Sequence, residues 1–387
     1  MTERLYYTDA YLDRFRARVV ARTDEGRTVY LDRSAFYPTS GGQPNDLGGL
    51  GGIAVLDVVD EGDRIAHRLA APLVDDEVEG VVDWARRFDL MQQHTGQHLL
   101  SAVLEERFGW PTVSVHFGAT SATLDVPVDA VSMEALVEAE ARANAVVWEN
   151  RPVRVAFEDA AAATGLRKAS ERSGTIRVVT IAGLDRSACG GTHVRATGEI
   201  GAILLRRTER VKKLTRIEFL CGGRAVARAR RDMEALGEIA AGFSASPDDA
   251  PTLVTRQREA LDEALGAARA LRGELARLRA ESRHAVLVPG ADGVRRAHVE
   301  LERGDVDEVR AELQAFATLP MAVAVVLLRE PAMLLVAASS DSGMDAGARL
   351  KAALSAVGGK GGGSPRFAQG TAPSREALTT AWHGLTA

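Results

Sequence analysis

The chain has 387 residues, more than one ordinary domain needs, and its 46% hydrophobic content can furnish two or three cores. Two cysteines exclude a disulfide framework, no apolar run reaches the roughly 20 residues of a membrane span, and the start Met1-Thr2-Glu3-Arg4 lacks a secretory signal; a cytoplasmic protein with no membrane partner is expected. A net charge of −5 gives no general attraction for nucleic acid, yet a local basic face remains compatible with it because binding depends on the footprint.

Residues 1–82 alternate short β-type runs with turns, at 15–20, Thr28–Leu31, 53–59 and Glu77–Val82, which predicts a small β-barrel-like module. From Asp83 the period becomes helical. Strands near Ala122–Val126, 153–157, 176–181 and 201–207, with a helix over 132–147, make 83–224 an α+β unit. After Cys221-Gly222-Gly223, residues 225–284 read as a helical linker. Val254, Leu261, Ala264, Ala268, Leu271, Leu275 and Leu278 recur there in steps of three and four once Gln257 is admitted. That is a heptad seam, compatible with pairing to a second chain or with a hairpin folded at Ser244-Ala245-Ser246-Pro247. Residues 285–387 follow as a separate α/β domain, with strands at 285–288, 297–301, Ala322–Leu328 and Met333–Ala338, helices at Val306–Phe316 and 346–357, and a glycine-rich loop at 358–370. The overall class is α+β.

Two clusters carry the chemistry. His94 and His98 of His94-Thr95-Gly96-Gln97-His98 are four residues apart on one helical face, so both imidazoles reach one ion. Cys189-Gly190-Gly191-Thr192-His193 places a thiolate and a third imidazole on a tight loop. Either cluster alone has a plain structural reading, a surface histidine pair or a small buried cysteine. Together they hold four of the chain's ten Cys and His residues. Three imidazoles and one thiolate suit zinc, one ion per chain, better than magnesium or calcium, which prefer oxygen. A third cluster, Phe36-Tyr37-Pro38-Thr39-Ser40-Gly41-Gly42-Gln43-Pro44-Asn45-Asp46-Leu47-Gly48, is either a turn between strands or a wall of the same cleft, with Gln43 as donor and acceptor.

These three motifs in this order, followed by Thr197-Gly198-Glu199-Ile200-Gly201 and Arg216-Ile217-Glu218, resemble the editing domain of alanyl-tRNA synthetase and its free-standing relatives, the AlaX proteins, over roughly residues 1–225. Gly358-Gly359-Lys360-Gly361-Gly362-Gly363-Ser364-Pro365-Arg366-Phe367-Ala368-Gln369-Gly370 is similar to the signature of their DHHA1-type C-terminal domain, although Ser364 stands where the family pattern has arginine. The whole chain thus resembles the long form of AlaX. The resemblance implies a barrel-like module at 1–82, a zinc-containing editing domain at 83–224, a coiled-coil linker at 225–284 and a DHHA1-like tRNA-binding domain at 285–387. With the β-rich module starting near Met1 and no aminoacylation domain before it, the expected activity is correction in trans: zinc-dependent hydrolysis of Ser, or Gly, from mischarged tRNA(Ala).

On that reading the metal ligands are His94, His98, Cys189 and His193. Thr39, Gln43, Gln97, Ser114 and His116 are the polar candidates for recognising the serine hydroxyl, and of these Gln43, Thr39, Gln97 and His116 are the expected catalytic group. Gly359, Lys360, Gly361, Gly362, Gly363 and Arg366 are expected to hold tRNA phosphates, with the run Arg224, Arg228, Arg230, Arg231 as a further contact or a solvated helix face. Four protein ligands fill a tetrahedral shell, so His193, at the loop end, is expected to exchange and open a position. A homodimer through the linker or the last domain is compatible with the seam. The competing readings are a non-catalytic tRNA-binding protein with a structural zinc, and a phosphoesterase of the DHH class, for which the Asp-His-His triplet is missing from the sequence.

Overall fold

Short strands with alternating inward apolar and outward charged residues close on themselves in the first part of the chain, in a computed structural model that describes residues 1–168 and 173–387. They are β1 (Glu3–Arg4), β2 (Arg14–Thr23), β3 (Thr28–Leu31), β4 (Arg33–Ser34), β5 (Gly48–Leu50), β6 (Ile53–Asp60), β7 (Ile65–Leu69) and β8 (Glu77–Val82). β1 pairs with β4, while β2-β3-β7-β6-β5-β8 form a closed antiparallel barrel, which removes the exposed sheet edges. Phe15 and Ala17 point inward with Val29, Leu31, Phe36, Leu50, Val58 and Ile65, whereas Arg14, Arg16 and Arg18 point out. β5 and β7 were not legible: β5 is short and glycine-bearing, and β7 carries His67 and Arg68 in place of an apolar run.

His67 sits fully buried in β7, its Nδ1 donating to the Val29 carbonyl at 3.2 Å and its Nε2 meeting Ser34 Oγ at 2.8 Å. Burial pushes this imidazole down to about 4 from 6.5. The unfolded chain therefore binds a proton that the folded chain refuses between these values. His67 favours the fold fully above about pH 6.5, and that contribution is lost as pH falls toward 4, by about 3 kcal/mol in all. Thermal unfolding of the protein is expected to shift more steeply over that window than unfolding of His67→Gln; parallel shifts would refute the assignment.

α1 (Trp84–Phe108) starts where Asp83 caps it, accepting the Arg86 N–H at 3.1 Å, and stops at Gly109 in the left-handed region. Beyond it lie β9 (Ser114–Phe117), β10 (Ala122–Val126), α2 (Met133–Trp148), β11 (Val153–Asp159), β12 (Thr175–Ile181), β13 (Asp185–Ala188), β14 (Ile203–Val211), β15 (Leu214–Cys221) and α3 (Gly223–Ala241). The strands form a four-stranded antiparallel sheet, β14-β15-β10-β9, and a three-stranded one, β11-β12-β13. Leu99, Leu100, Val103 and Leu104 of α1 pack with Ala139, Ala143 and Val146 of α2 and with Leu124, Ile217 and Phe219 of the larger sheet. Thus α1, the element bearing His94 and His98, is the buried axis of this region. Arg224 is engaged within this region, donating to Asp89 on α1 and to the Gly118 carbonyl, and Arg228 pairs with Asp232.

The chain divides into two compact units, Met1–Ile239 and Ala240–Ala387. The second holds α4 (Ala250–Val286), β16 (Arg295–Leu301), α5 (Val306–Phe316), β17 (Ala322–Leu328), β18 (Met333–Ala338), α6 (Ala346–Ser355), β19 (Lys360–Gly363), β20 (Phe367–Thr371) and α7 (Arg375–Thr386). Its five-stranded sheet runs β16-β17-β18-β20-β19, with only β16 and β17 parallel, joined by the α5 crossover. The strand expected at 285–288 is absent, since α4 carries its helical hydrogen bonding to Val286. The seam residues Val254, Leu261, Leu271, Leu275 and Leu278 are exposed. The expected glycine loop at 358–370 is instead a hairpin, β19 against β20, at the sheet edge. Its glycines admit α6: a Cβ on Gly361 would stand 2.5 Å from Leu354 Cδ1. Among the described residues no helix is long and apolar enough to cross a membrane.

Candidate metal centre

Helical spacing stacks His94 over His98, with ring centroids 5.2 Å apart, and the loop after β13 brings Cys189 and His193 against them. Cys189 Sγ lies 3.4 Å from His94 Nε2 and 3.3 Å from His193 Nε2, and ligand atoms of all four residues fall within 4.8 Å of one another. Bonds of about 2.0–2.3 Å to a tetrahedral ion give edges of about 3.3–3.8 Å, so the donor set fits such an ion with little rearrangement.

Each imidazole has its other nitrogen engaged. His94 Nδ1 donates to Gln43 Oε1 at 2.8 Å, His98 Nδ1 to Asp185 Oδ2 at 2.9 Å, and His193 Nδ1 to Thr95 Oγ1 at 3.1 Å. A proton on each Nδ1 turns the Nε2 of His94 and His193 toward Cys189 Sγ, the orientation a metal requires, while His98 reaches the same tautomer once a cation displaces the proton from its Nε2. The partners are themselves fixed. Gln43 Oε1 also accepts the Thr192 N–H while its amide donates to Thr192 Oγ1, and Asp185 also accepts from Arg167 Nε and Ser187 Oγ. Burial alone would raise the Cys189 thiol, yet His94 and His193 hold it well below its usual value. Burial would lower His98, but Asp185 and Cys189 overcome it and push the imidazole up to about 9; burial and His94 push His193 down to about 3. The site is a thiolate facing nitrogens, where a proton and a cation compete for the same electron pairs.

His94, His98 and His193 are about 5% exposed, while Cys189 as a residue is partly exposed and so is the least buried of the four. His193 has a firm hydrogen bond and the same burial as its neighbours. Gly191 is the other fixed requirement of the loop: a Cβ there would lie 2.1 Å from His94 Cε1 and 2.9 Å from Gln43 Oε1. Gly191→Ala is therefore expected to lower metal affinity at least about tenfold with the fold retained, read by metal content after dialysis; a fully loaded variant would contradict the packing.

The remaining candidates separate. Gln43 is completely buried, with its amide oxygen on His94 and Thr192 and its amide nitrogen on Thr192 Oγ1, so it orients His94 and the Cys-Gly-Gly-Thr-His loop. Thr39 is exposed on the same loop, its Oγ1 accepting the Asn45 N–H at 3.0 Å. Gln97 is buried and donates to Ser101 Oγ; Ser114 donates to Asp125. His116 is exposed on β9, and it is Phe117, on the opposite face, that packs 5.2 Å from the His94 ring. Among the described residues neither Gln97 nor His116 hydrogen-bonds any of the four metal-type ligands. In the second unit, Lys360 and Gly361–Gly363 are exposed on the edge strand, whereas the Gly359 N–H is taken by the Leu354 carbonyl and Arg366 donates to the Ala317 carbonyl. Sequence reasoning missed Thr95, Thr192, Arg167, Asp185 and Ser187. The available signal was Asp185 in a strand whose neighbours pack inward, a carboxylate that demands partners.

Residues 176–218 match the family described as the threonyl and alanyl tRNA synthetase second additional domain. The chain is 32% identical to the alanyl-tRNA editing protein AlaX-L of Pyrococcus horikoshii over 96% of this chain and 94% of that protein. The alanyl-tRNA editing protein AlaX-M of Methanosarcina mazei is 34% identical over 56% of this chain and 94% of its own length. The alanine–tRNA ligase of Pyrobaculum calidifontis is 34% identical over 95% of this chain, which spans 42% of that ligase.

Proposed function

Since the chain belongs to the AlaX family of alanyl-tRNA editing proteins, we propose that it is a zinc-dependent deacylase that removes serine, or glycine, from mischarged tRNA(Ala) in trans. The observation that carries this reading is the convergence of the Gly-Gly-Gln loop, the His94–His98 helix and the Cys-Gly-Gly-Thr-His loop on one cation-sized centre. His94, His98, Cys189 and His193 would hold one zinc ion. When bound, the ion supplies a Lewis acid for an ester carbonyl or an acidified water.

The protein's own groups do the rest. Gln43, Thr95 and Asp185 keep the three imidazoles in one tautomer, so no proton has to be shed or turned when a substrate arrives. The accessible side, at Cys189, is where the 3′ end enters. Thr39, exposed on the Gly-Gly-Gln loop, offers a hydroxyl to pair with that of serine, a contact that alanine cannot return and one able to discriminate by up to about 10⁴–10⁵. Gln97 and His116 are retained as substrate contacts only if the bound ester displaces their present surroundings. We assign 1–224 to editing, 225–284 to the linker and 285–387 to tRNA binding in the cytoplasm, with the outer edge of β19, residues Lys360 to Gly363, facing the phosphates. The exposed seam of α4 suits pairing with a second copy.

The test is incubation of tRNA(Ala) carrying labelled Ser, Gly or Ala with the protein. Loss of Ser with Ala retained is expected, the glycyl ester showing whether the hydroxyl is required; equal loss of all three overturns the specificity. The closed look of a four-ligand centre favours one competing reading, a tRNA-binding protein with a structural zinc. It predicts tRNA binding with no release of any amino acid.

A further inference from the structure

Arg177 is the one charged side chain in the apolar run Ile176–Ile181 of β12, and it is 92% buried, with 8% relative exposure. A buried guanidinium ordinarily has a carboxylate partner, because a lone buried charge is costly. None of the described residues supplies one. Its Nη1 donates to the Cys189 carbonyl at 2.7 Å and to the Gly191 carbonyl at 2.9 Å, and its Nε donates to the Tyr7 carbonyl at 3.0 Å. The Arg177 carbonyl also accepts the Cys189 N–H at 3.0 Å. One residue thus grips Cys189 at both its N–H and its C=O, and reaches two residues further to the glycine that packs on His94. The Tyr7 ring, 5.7 Å from the guanidinium, closes the other side.

A segment containing Gly190 and Gly191 has wide backbone freedom, and ordering it costs roughly 1–2 kcal/mol per residue. The planar fork of an arginine fixes two carbonyls in one plane, which a lysine ammonium does not. We propose that Arg177 is a positioning residue of the metal centre: its guanidinium clamps the Cys189 and Gly191 carbonyls and so sets Cys189 Sγ at bonding distance from the ion. The positive charge also lies on the thiolate side, where it is balanced by the one anionic ligand. This inference rests on the metal-centre reading above, but not on the identity of the aminoacyl ester.

Cobalt(II) tests it without any tRNA. Arg177→Met and Arg177→Lys are titrated beside the unmodified protein, following affinity and the thiolate-to-cobalt charge-transfer absorption. Both variants are expected to bind cobalt 10–100-fold more weakly and to show a weakened charge-transfer band per bound ion. Methylguanidinium is expected to restore part of that band in Arg177→Ala. A purely structural arginine would lower the thermal midpoint and leave the spectrum per bound ion unchanged, which overturns the proposal, as do variants with unaltered affinity. If Arg177→Met does not fold, Arg177→Lys decides: affinity and spectrum matching the unmodified protein overturn the clamp. Absence of cobalt uptake by the unmodified protein overturns the metal centre itself, and the clamp with it.

Discussion

Cys189→Ala is expected to abolish metal retention and ester hydrolysis together. Cys189 is the anionic member of the four-residue cluster; the other three are imidazoles whose Nδ1 protons are already committed to Gln43, Asp185 and Thr95. Without the thiolate a divalent ion faces three neutral donors, and both affinity and hydrolysis should fall by at least about 10³-fold. The residue is partly exposed and its side chain small, so the fold should survive, with the metal-free thermal midpoint within a few degrees of the unmodified protein. Metal per chain after dialysis and the rate of serine release from tRNA(Ala) are the two readings. A variant that kept one ion and its activity would remove Cys189 from the centre.

Arg87→Met is expected to cost about 3–5 kcal/mol of stability, the largest loss from any single substitution considered. Arg87 and Asp46 are both fully buried, and they pair at 3.0 Å through Nε. The same guanidinium donates to the Ala10 carbonyl at 2.7 Å and the Ala35 carbonyl at 2.6 Å, while Asp46 accepts the Tyr37 N–H at 2.6 Å. The pair therefore ties the Gly-Gly-Gln loop to α1 two turns before His94. Methionine fills the space but leaves a buried carboxylate without its cation and takes the guanidinium donors from two carbonyls. A fall of about 10 °C in the thermal midpoint is expected, partly recovered by adding Asp46→Leu. A shift of a degree or two would mean that the loop is held by something other than this pair.

The metal cluster was legible because both halves obey local rules: four-residue spacing on a helix, and a two-glycine loop ending in histidine. Barrel strands at Thr28–Leu31 and Glu77–Val82, and the strands of the last domain at Ala322–Leu328 and Met333–Ala338, were legible from their apolar runs. What was hidden depends on contacts distant in sequence. Asp185 meets His98 across 87 positions, and Gln43 meets His94 across 51. Polarity alone suggested Gln43 as a substrate contact; its burial and its bonds to His94 and Thr192, which make it a support for His94, depend on distant contacts the sequence does not display. The glycines at 361 and 363 suggested a loop, but here they permit a strand beneath α6. Ala285 and Val286 looked like a strand because β-type residues follow Ala285, yet they extend a 37-residue helix whose hydrogen bonding simply continues.

The most direct measurement is the rate of serine release from seryl-tRNA(Ala) against zinc occupancy, starting from chelator-stripped protein and adding zinc stepwise. Release rising in proportion to bound zinc, saturating at one ion per chain while alanyl-tRNA(Ala) stays intact, is the expected result. Serine release that is independent of zinc, or no release at full occupancy, would contradict it.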